Sequence, residues 1–249
     1  MIFKAHATDL ATILPFRELF LQENNFQIRY NACHERGWSD AYLLTVDGVV
    51  VGYGSVKGQE INERNTIFEF YVLPTYRKWA SPCFQALVAA SDVALIECQS
   101  NDLLLSFMLY EFAQGIRSEV ILFADHHNTN YQMPELLFRP TQEQDYRTGY
   151  KTKDLGSYVL EWEGELVATG GYLLHYNMPF ADVYMDVRDT QRRRGFGSFI
   201  VQELKKVCYQ HQRVPAARCN IQNQASKATL LKAGFTVAGY MLLGKVKKK

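Results

Sequence analysis

A glycine-rich turn between a predicted strand and a predicted helix is the feature that most constrains this fold. The turn reads Arg192-Arg193-Arg194-Gly195-Phe196-Gly197-Ser198. Residues 181–187 before it alternate small or apolar with polar side chains, as in a half-buried strand. Residues 199–211 after it carry apolar side chains at helical spacing. A turn of this kind directs several N–H groups and the positive end of a helix dipole to one place, which predicts a phosphate or pyrophosphate site there.

The turn differs from the two commonest phosphate motifs. No Gly-Lys-Ser/Thr follows it, as a P-loop would require. A dinucleotide fingerprint needs a third glycine three residues after the second, and position 200 is isoleucine. The turn is therefore neither a P-loop nor a dinucleotide fingerprint.

The segment after the helix adds motifs that indicate which class of protein carries this turn. It contains a predicted strand at 218–221, a predicted helix capped within Asn223-Gln224-Ala225-Ser226 and continuing over 227–233, and then Gly234-Phe235. The order strand, R-x-x-G-x-G, helix, strand, N-x-x-S, helix, G-F, strand resembles the GNAT superfamily of acyl-CoA-dependent N-acetyltransferases over residues 157–243. The resemblance implies an α/β fold, more closely an α+β fold with a mixed sheet, and acetyl-CoA as co-substrate.

The resemblance also implies which residues bind coenzyme A. The loop would hold the pyrophosphate through Arg192, Arg193, Arg194, Gly195, Phe196, Gly197 and Ser198. In the family, a bulge in the preceding strand frees main-chain N–H groups for the thioester and the pantetheine arm, and these positions are Met185, Asp186 and Val187 here. Asn223 would bind the pantetheine arm, cap its own helix, or do both.

Candidates exist for two catalytic roles, the general base and the acid that protonates the thiolate. The stretch Phe180-Ala181-Asp182-Val183 resembles the F-A-E-I stretch of histone-acetylating family members, where the glutamate is the general base, so Asp182 is the candidate base. The alternative is a solvated acid at the end of a strand. Many family members carry a thiolate-protonating tyrosine where this chain has Leu230, and Tyr184 or Tyr240 could replace it.

The chain repeats its plan once. Gly48 and Gly164 follow acidic residues in predicted hairpin turns, at an offset of 164 − 48 = 116. Val72 matches Val187 at an offset of 187 − 72 = 115, and Asn101 matches Asn223 at 223 − 101 = 122. The sequence therefore predicts two tandem GNAT-like domains over residues 1–130 and 131–249, each a mostly antiparallel mixed sheet flanked by helices.

The first copy lacks the features of an anion site. At the offset of 115, Ala80 and Pro82 replace the two glycines of the loop, and Trp79 stands beside them. Because proline has no N–H group and tryptophan adds bulk, we expect this degenerate domain not to bind coenzyme A. The second copy has only a short segment after residue 139, where family members usually place two helices.

Composition limits the remaining possibilities. The net charge of +1 argues against a general nucleic-acid binder. We find neither a long apolar run nor a signal peptide, and the five cysteines lack metal-binding spacing, so the sequence predicts a cytoplasmic protein without a metal or a membrane partner. The expected function is acetyl transfer from acetyl-CoA to a primary amine of a small molecule or peptide. The first alternative is a non-catalytic acyl-CoA-binding protein, and the second is a nucleic-acid-binding module. The sequence leaves open the identity of the acceptor, the length of the acyl chain and the oligomeric state.

Overall fold

The computed structural model describes residues 1–24, 26–27, 29, 31–147, 150 and 155–247, and it divides the chain into two compact units. Unit 1 comprises Met1–Phe26, Tyr30–Glu119 and Gly239–Lys249. Unit 2 comprises Gln27–Arg29 and Val120–Ala238.

Unit 1 follows a simple strand and helix order. Its elements are β1 (Phe3–Thr8), α1 (Leu10–Glu23), α2 (Asn31–Glu35), β2 (Ser39–Val46), β3 (Val49–Lys57), β4 (Thr66–Val72), a 3-10 helix (Pro74–Trp79), α3 (Ala80–Ser91), β5 (Leu95–Gln99), α4 (Leu103–Phe112) and the start of β6 (Ala113–Asp125). The hydrogen-bonded strand order is β1-β2-β3-β4-β5, with the chain's last strand, β12 (Phe235–Val246), next to β5. Only the β4–β5 pair is parallel among these.

Unit 2 repeats this order, except that its described residues contain no counterparts of α1 and α2. Its elements are β7 (Leu136–Pro140), a 3-10 helix (Glu143–Arg147), β8 (Tyr158–Trp162), β9 (Glu165–Leu173), β10 (Phe180–Val187), a 3-10 turn (Asp189–Gln191), α5 (Phe196–Gln210), β11 (Val214–Asn220), α6 (Gln224–Lys232) and the start of β12. The strand order is β7-β8-β9-β10-β11-β6, and the β10–β11 pair is parallel. Both units are thus mixed, mostly antiparallel sheets flanked by helices, which confirms the predicted fold class.

The internal repeat is visible in backbone detail. Asp47 and Gly48 have φ of 48° and 83°, and Glu163 and Gly164 have φ of 52° and 80°. Two successive left-handed residues are the mark of a tight type I′ hairpin turn. Each hairpin also carries a register shift, after Leu44 in one copy and after Leu160 in the other, at the same offset of 160 − 44 = 116. The repeat predicted from three landmarks therefore extends to the bulges.

The predicted boundary at residue 130 differs from the observed division between Glu119 and Val120. The reason is an exchange of the last strands. Within unit 1, β5 pairs with residues 241–245 of β12, from the far end of the chain. Within unit 2, β11 pairs with residues 120–124 of β6, which precede the predicted boundary. Each copy thus completes its sheet with a strand that the other half of the sequence supplies.

A buried lysine fixes residues 125–127 in unit 2. Lys205 on α5 is 2% exposed and lies 2.7 Å from Asp125 Oδ1. It donates to the carbonyl oxygens of His127 at 2.7 Å and Ala233 at 3.2 Å. Because a buried ammonium must be paired and hydrogen-bonded, this cluster ties the end of β6 to α5.

Some predicted element bounds need correction. The helix after the loop begins at Phe196, three residues before the predicted start at 199, and β11 begins at Val214 rather than 218. The short segment after β7 contains a 3-10 helix in its described part, Glu143–Arg147, with no α-helix there. None of the helices in the described ranges is long and apolar enough to cross a membrane.

The strand exchange predicts how fragments behave. A fragment of residues 131–249 lacks β6, so β11 loses a neighbouring strand and Lys205 loses Asp125 and one carbonyl. We expect this fragment to show no cooperative urea unfolding. The matched fragment 120–249, which keeps residues 120–125, should fold measurably better, as judged by circular dichroism. Equal cooperative unfolding of the two fragments would contradict the role given to β6.

Candidate functional site

The glycine loop forms the first turn of α5. Gly195 is the N-cap residue, with a left-handed φ of 88°, and no side chain caps the helix. The N–H groups of Phe196, Gly197 and Ser198 are therefore the first-turn donors that lack an intrahelical acceptor. The side chains of Phe196 and Ser198 are both 5% exposed, and the Ser198 hydroxyl faces the carbonyl of Thr229 at 3.4 Å. These two residues can serve an anion only through the main chain.

The three arginines of the loop are exposed but differ in their contacts. Arg192 forms an ion pair with Asp189 at 2.7 Å, and its side chain is 58% exposed. Arg193 has a left-handed φ of 65°. The guanidinium of Arg194 lies over the Trp162 ring at 4.7 Å. Exposed ion pairs such as the first contribute little, so Arg192 can exchange Asp189 for a phosphate at small cost.

Gly197 also controls helix packing. A Cβ atom at this position would lie 3.1 Å from Thr229 Cγ2 on α6, so the glycine lets the two helices approach. At the start of α6, the Asn223 side chain accepts a hydrogen bond from Ser226 N at 3.0 Å. Asn223 therefore caps its helix, as one of the two predicted roles requires, and its contact with a pantetheine arm stays a prediction.

The strands β10 and β11 separate directly after Asp182. Their parallel pairing runs from Phe180 to Asp182, whose partner is Ala216, and stops there. On its other side, β10 stays paired with β9 from Asp182 to Val187. Beyond Asp182, therefore, β10 has a strand partner on one side only.

The direction of each N–H group on β10 follows from the register. Arg188 N donates to Val167 O at 2.9 Å, so this pair is hydrogen-bonded. Because such pairs alternate along an antiparallel ladder, the N–H groups of Asp186 and Tyr184 point to β9. Those of Met185 and Val187 point to the other side, where β11 has separated. These two N–H groups are available to a ligand.

The expected bulge in β10 is absent, and this changes the donor set. The register of β10 with β9 is continuous from Asp182 to Val187. Separation from β11, rather than a bulge, frees the N–H groups, and Asp186 drops out because its N–H faces β9. The bulge occurs instead in β4 of the first copy, where Ser55 pairs with Glu69 and Val56 with Ile67, so Phe68 is the extra residue.

Asp182 is a buried carboxylate, which excludes the alternative of a solvated strand-end acid. It is 4% exposed, and Arg218 Nε on β11 donates to its Oδ2 at 3.2 Å. Arg218 also donates to the hydroxyl oxygen of Tyr176, in the connection before β10. Burial raises the pKa of Asp182 to about 6, although Arg218 and Tyr176 act in the opposite direction. An acid with this pKa is ionised at neutral pH and close to the range suited to a general base.

The two tyrosines predicted as possible proton donors to the thiolate lie in different places. Tyr184 is 40% exposed, and its ring lies over Gly171 of β9, since a Cβ there would be 2.7 Å from the hydroxyl oxygen. Its hydroxyl is thus on the β9 side, away from the Met185 and Val187 N–H groups. Leu230 is 3% exposed and part of the interior, and Tyr240 lies in unit 1.

Three further residues lie at this site and are not among the predicted site residues: Tyr150, Tyr176 and Arg218. The Tyr150 hydroxyl donates to Asp186 O at 3.1 Å, and Arg188 stacks on its ring at 5.2 Å. Only Arg218 left a signal in the sequence, as a charged residue inside a predicted strand. The two tyrosines lie in connections whose path the sequence does not reveal.

In unit 1, the position equivalent to the loop is occupied by the chain's own side chains. Arg77, the counterpart of Arg192 at the offset of 115, donates to Glu23 and to Val72 O. At the start of α3, Ser81 donates to Glu111, and Pro82 offers no N–H group. Here α4 packs against β4 and β5, whereas in unit 2 α6 packs against α5 and β11.

The α1 side of β4 is filled as well. Glu69 is fully buried and accepts hydrogen bonds from Arg17 at 2.9 Å and from Tyr53 at 3.0 Å, with His34 Nε2 at 3.1 Å. Burial opposes ionisation, but Arg17 and His34 outweigh it and hold the pKa of Glu69 well below its usual range. These internal groups leave unit 1 without the open features found in unit 2.

The described residues contain no cluster of three His, Cys, Asp or Glu side chains able to hold a metal ion. The main-chain N–H groups of the adjacent His126 and His127 both donate to Gly234 O. The cysteines are unpaired thiols, and all but Cys33 are buried.

Comparison with known proteins identifies the fold. Residues 122–235 match the model of the acetyltransferase (GNAT) family. A GNAT-family acetyltransferase from Colwellia psychrerythraea has a TM-score of 0.76 at 14% identity, covering 99% of this chain and 100% of that one. A tandem GNAT protein from the clavulanic acid biosynthesis pathway has a TM-score of 0.63 at 9% identity, covering both chains completely. A GCN5-related N-acetyltransferase from Sphaerobacter thermophilus has a TM-score of 0.61 at 15% identity, covering 99% and 96%. No curated protein matches the chain.

The asymmetry between the units predicts one coenzyme A site per chain. Titration calorimetry with acetyl-CoA should give a stoichiometry of one, and Gly197→Pro should abolish binding because it removes a first-turn donor. The matched change in unit 1, Pro82→Gly, should leave the stoichiometry at one, since Arg77 stays engaged by Glu23. Two sites in the wild type, or binding that survives Gly197→Pro, would contradict the assignment.

Proposed function

We propose that the chain transfers an acetyl group from acetyl-CoA to a primary amine, because residues 122–235 match the model of the acetyltransferase (GNAT) family. The amine attacks the thioester directly, with both substrates bound to unit 2. The acceptor is a small molecule or the amine of a peptide.

One observation carries this proposal. The first-turn N–H groups of α5 and the outward N–H groups of Met185 and Val187 occur together on adjoining elements, where β10 separates from β11. The first set suits a pyrophosphate, because N–H donors and a helix dipole favour an anion. The second set suits the carbonyl oxygen of a thioester, because donors aimed at a developing oxyanion lower the barrier of acyl transfer. Two adjoining sets of N–H donors without strand or helix acceptors are not expected in a sheet with only a structural role.

Each residue has a defined task in the reaction. Arg192 neutralises the pyrophosphate, and the loop main chain holds it. The Met185 or Val187 N–H group donates to the carbonyl oxygen as the amine nitrogen bonds to the carbonyl carbon. Asp182 accepts the proton that the amine nitrogen gives up. The C–S bond then breaks, and the acetyl group stays on the nitrogen.

The departing sulfur needs no phenol. A thiol with a pKa near that of cysteine, about 8.5, is a tolerable leaving group as the thiolate and can take up a proton from solvent after it departs. The chain therefore tolerates leucine at position 230, and neither Tyr184 nor Tyr240 is needed as the acid.

The second candidate function is non-catalytic acyl-CoA binding. The burial of Leu230 and the ion pair of Asp182 favour it, because both limit the groups available for proton transfer. A screen of amine acceptors, with thiol release as the readout, separates the two functions.

Arg192→Ala should weaken acetyl-CoA binding by about 1–3 kcal/mol, the range for losing a charge-assisted hydrogen bond. Calorimetry measures the loss directly. A pantetheine analogue without phosphates should lose little, since it lacks the charge that Arg192 meets. The control is Arg117→Ala, which removes an exposed arginine of unit 1 paired with Glu119. Equal losses for both ligands would contradict the assignment.

Asp182→Asn should lower the acetylation rate by roughly 10²–10⁴ while acetyl-CoA affinity stays nearly unchanged. The loss should shrink at high pH, because an amine already deprotonated by solvent does not need the base. Steady-state rates measured between about pH 5 and pH 10 test this pH dependence. Glu165→Gln, which neutralises an exposed carboxylate of β9, is the control. A normal pH–rate profile for Asp182→Asn would remove this residue from the mechanism.

A further inference from the structure

The Asp182 cluster stands at the point where the site opens. Asp182 and Ala216 are the last partners of β10 and β11. Arg218 lies two residues further along β11, still paired with Leu122 of β6 on its other side. Its contact with Asp182 therefore joins the two strands just where their backbone hydrogen bonds end.

The geometry of the cluster restricts the carboxylate. Arg218 Nε donates to Oδ2 of Asp182 at 3.2 Å, and the guanidinium lies 5.4 Å from the centre of the Tyr176 ring. Tyr176 is 2% exposed and also hydrogen-bonded with Asp182. A guanidinium held by a buried ring and a hydroxyl has a fixed direction, so the carboxylate it contacts is fixed as well.

Exposure differs across the cluster in a way that suits catalysis. The side chain of Asp182 is 6% exposed and that of Arg218 is 37% exposed. The carboxylate is thus shielded from bulk water, while the cluster reaches the surface through Arg218. Removing water strengthens each electrostatic interaction in such a site, and an unpaired carboxylate there would be costly.

We propose that Arg218 and Tyr176 are positioning residues for proton transfer: they hold the Asp182 carboxylate in one orientation where β10 and β11 separate, and they compensate its charge. This inference rests on the proposed acetyltransferase function. Neither residue touches the reacting atoms; both act through Asp182.

The groups that face Asp182 set its response to pH. They are Arg218 from β11 and Tyr176 from the connection after β9, while Tyr184 and Asp186 share its face of β10 and α5 packs on the opposite face. The base works when ionised, so the rate falls as pH drops through its pKa of about 6. Removing Arg218 takes away the largest influence that lowers this pKa, and the acidic limb must move to higher pH.

The test compares pH profiles of kcat/KM for the wild type and three variants. Arg218→Gln should move the acidic limb upward by about one to three pH units, the usual effect of a neighbouring arginine on an aspartate. Arg218→Lys keeps the charge but not the planar fork, so kcat should fall with a smaller shift of the limb. Tyr176→Phe, a mild change that keeps the ring, should move the limb upward by less than Arg218→Gln.

A second readout needs no activity. Carbon-13 NMR of the Asp182 carboxyl, assigned by its loss in Asp182→Asn, should show the same upward shift in Arg218→Gln. The control is Arg213→Gln, which removes a cation just before β11 that donates to Phe180 O. Its pH profile and its Asp182 titration should equal those of the wild type.

The outcomes are distinct. An active wild type whose Arg218→Gln variant keeps the original limb and carboxyl titration would overturn this inference alone. A wild type that acetylates no amine would overturn the proposed function, and with it the role assigned to Arg218. Parallel shifts in both readouts would support the two together.

Discussion

The need of each sheet strand for hydrogen-bonding partners on both sides governs this protein. Inside a sheet, an unpaired backbone group is costly, and here β5 and β11 obtain their outer partners from the opposite half of the sequence. In unit 2, the inner strand β10 gives up its β11 partner beyond Asp182. We propose that this loss persists because the N–H groups of Met185 and Val187 serve a ligand there.

The two copies use the same frame for opposite purposes. Parallel pairing ends at Ile67 in the first copy and at Asp182 in the second, again at an offset of 182 − 67 = 115. In unit 1, the cation that would meet a pyrophosphate pairs with Glu23, and α1 supplies Arg17 to the buried Glu69. Internal charges thus take positions in unit 1 that are open in unit 2, which supports the proposal that unit 1 does not bind coenzyme A.

Local patterns predicted the parts of the site that depend on neighbours in sequence. Three features were predicted from short segments: the glycine loop, the capping Asn223 and the two hairpin turns. Each depends on about four or five consecutive residues, roughly one turn of chain. The β10 donors were only partly predicted: the strand was correct, but the bulge was wrong, since register depends on the partner strand. Tyr150 and Arg218 were not predicted because each contacts β10 across 36 residues of sequence, Tyr150 at Asp186 and Arg218 at Asp182.

The sequence by itself determined the resemblance to the GNAT family, the order of elements, the repeat and the loss of glycines from the first copy, because each is a pattern of residue types at short range. Only the tertiary structure decided which strands complete each sheet, and it moved the boundary from residue 130 to residue 119. From the sequence, Asp182 was either a general base or a solvated acid at the end of a strand. The tertiary structure shows a buried carboxylate paired with Arg218. Burial and charge pairing arise between residues distant in sequence, and therefore only the folded chain can set them.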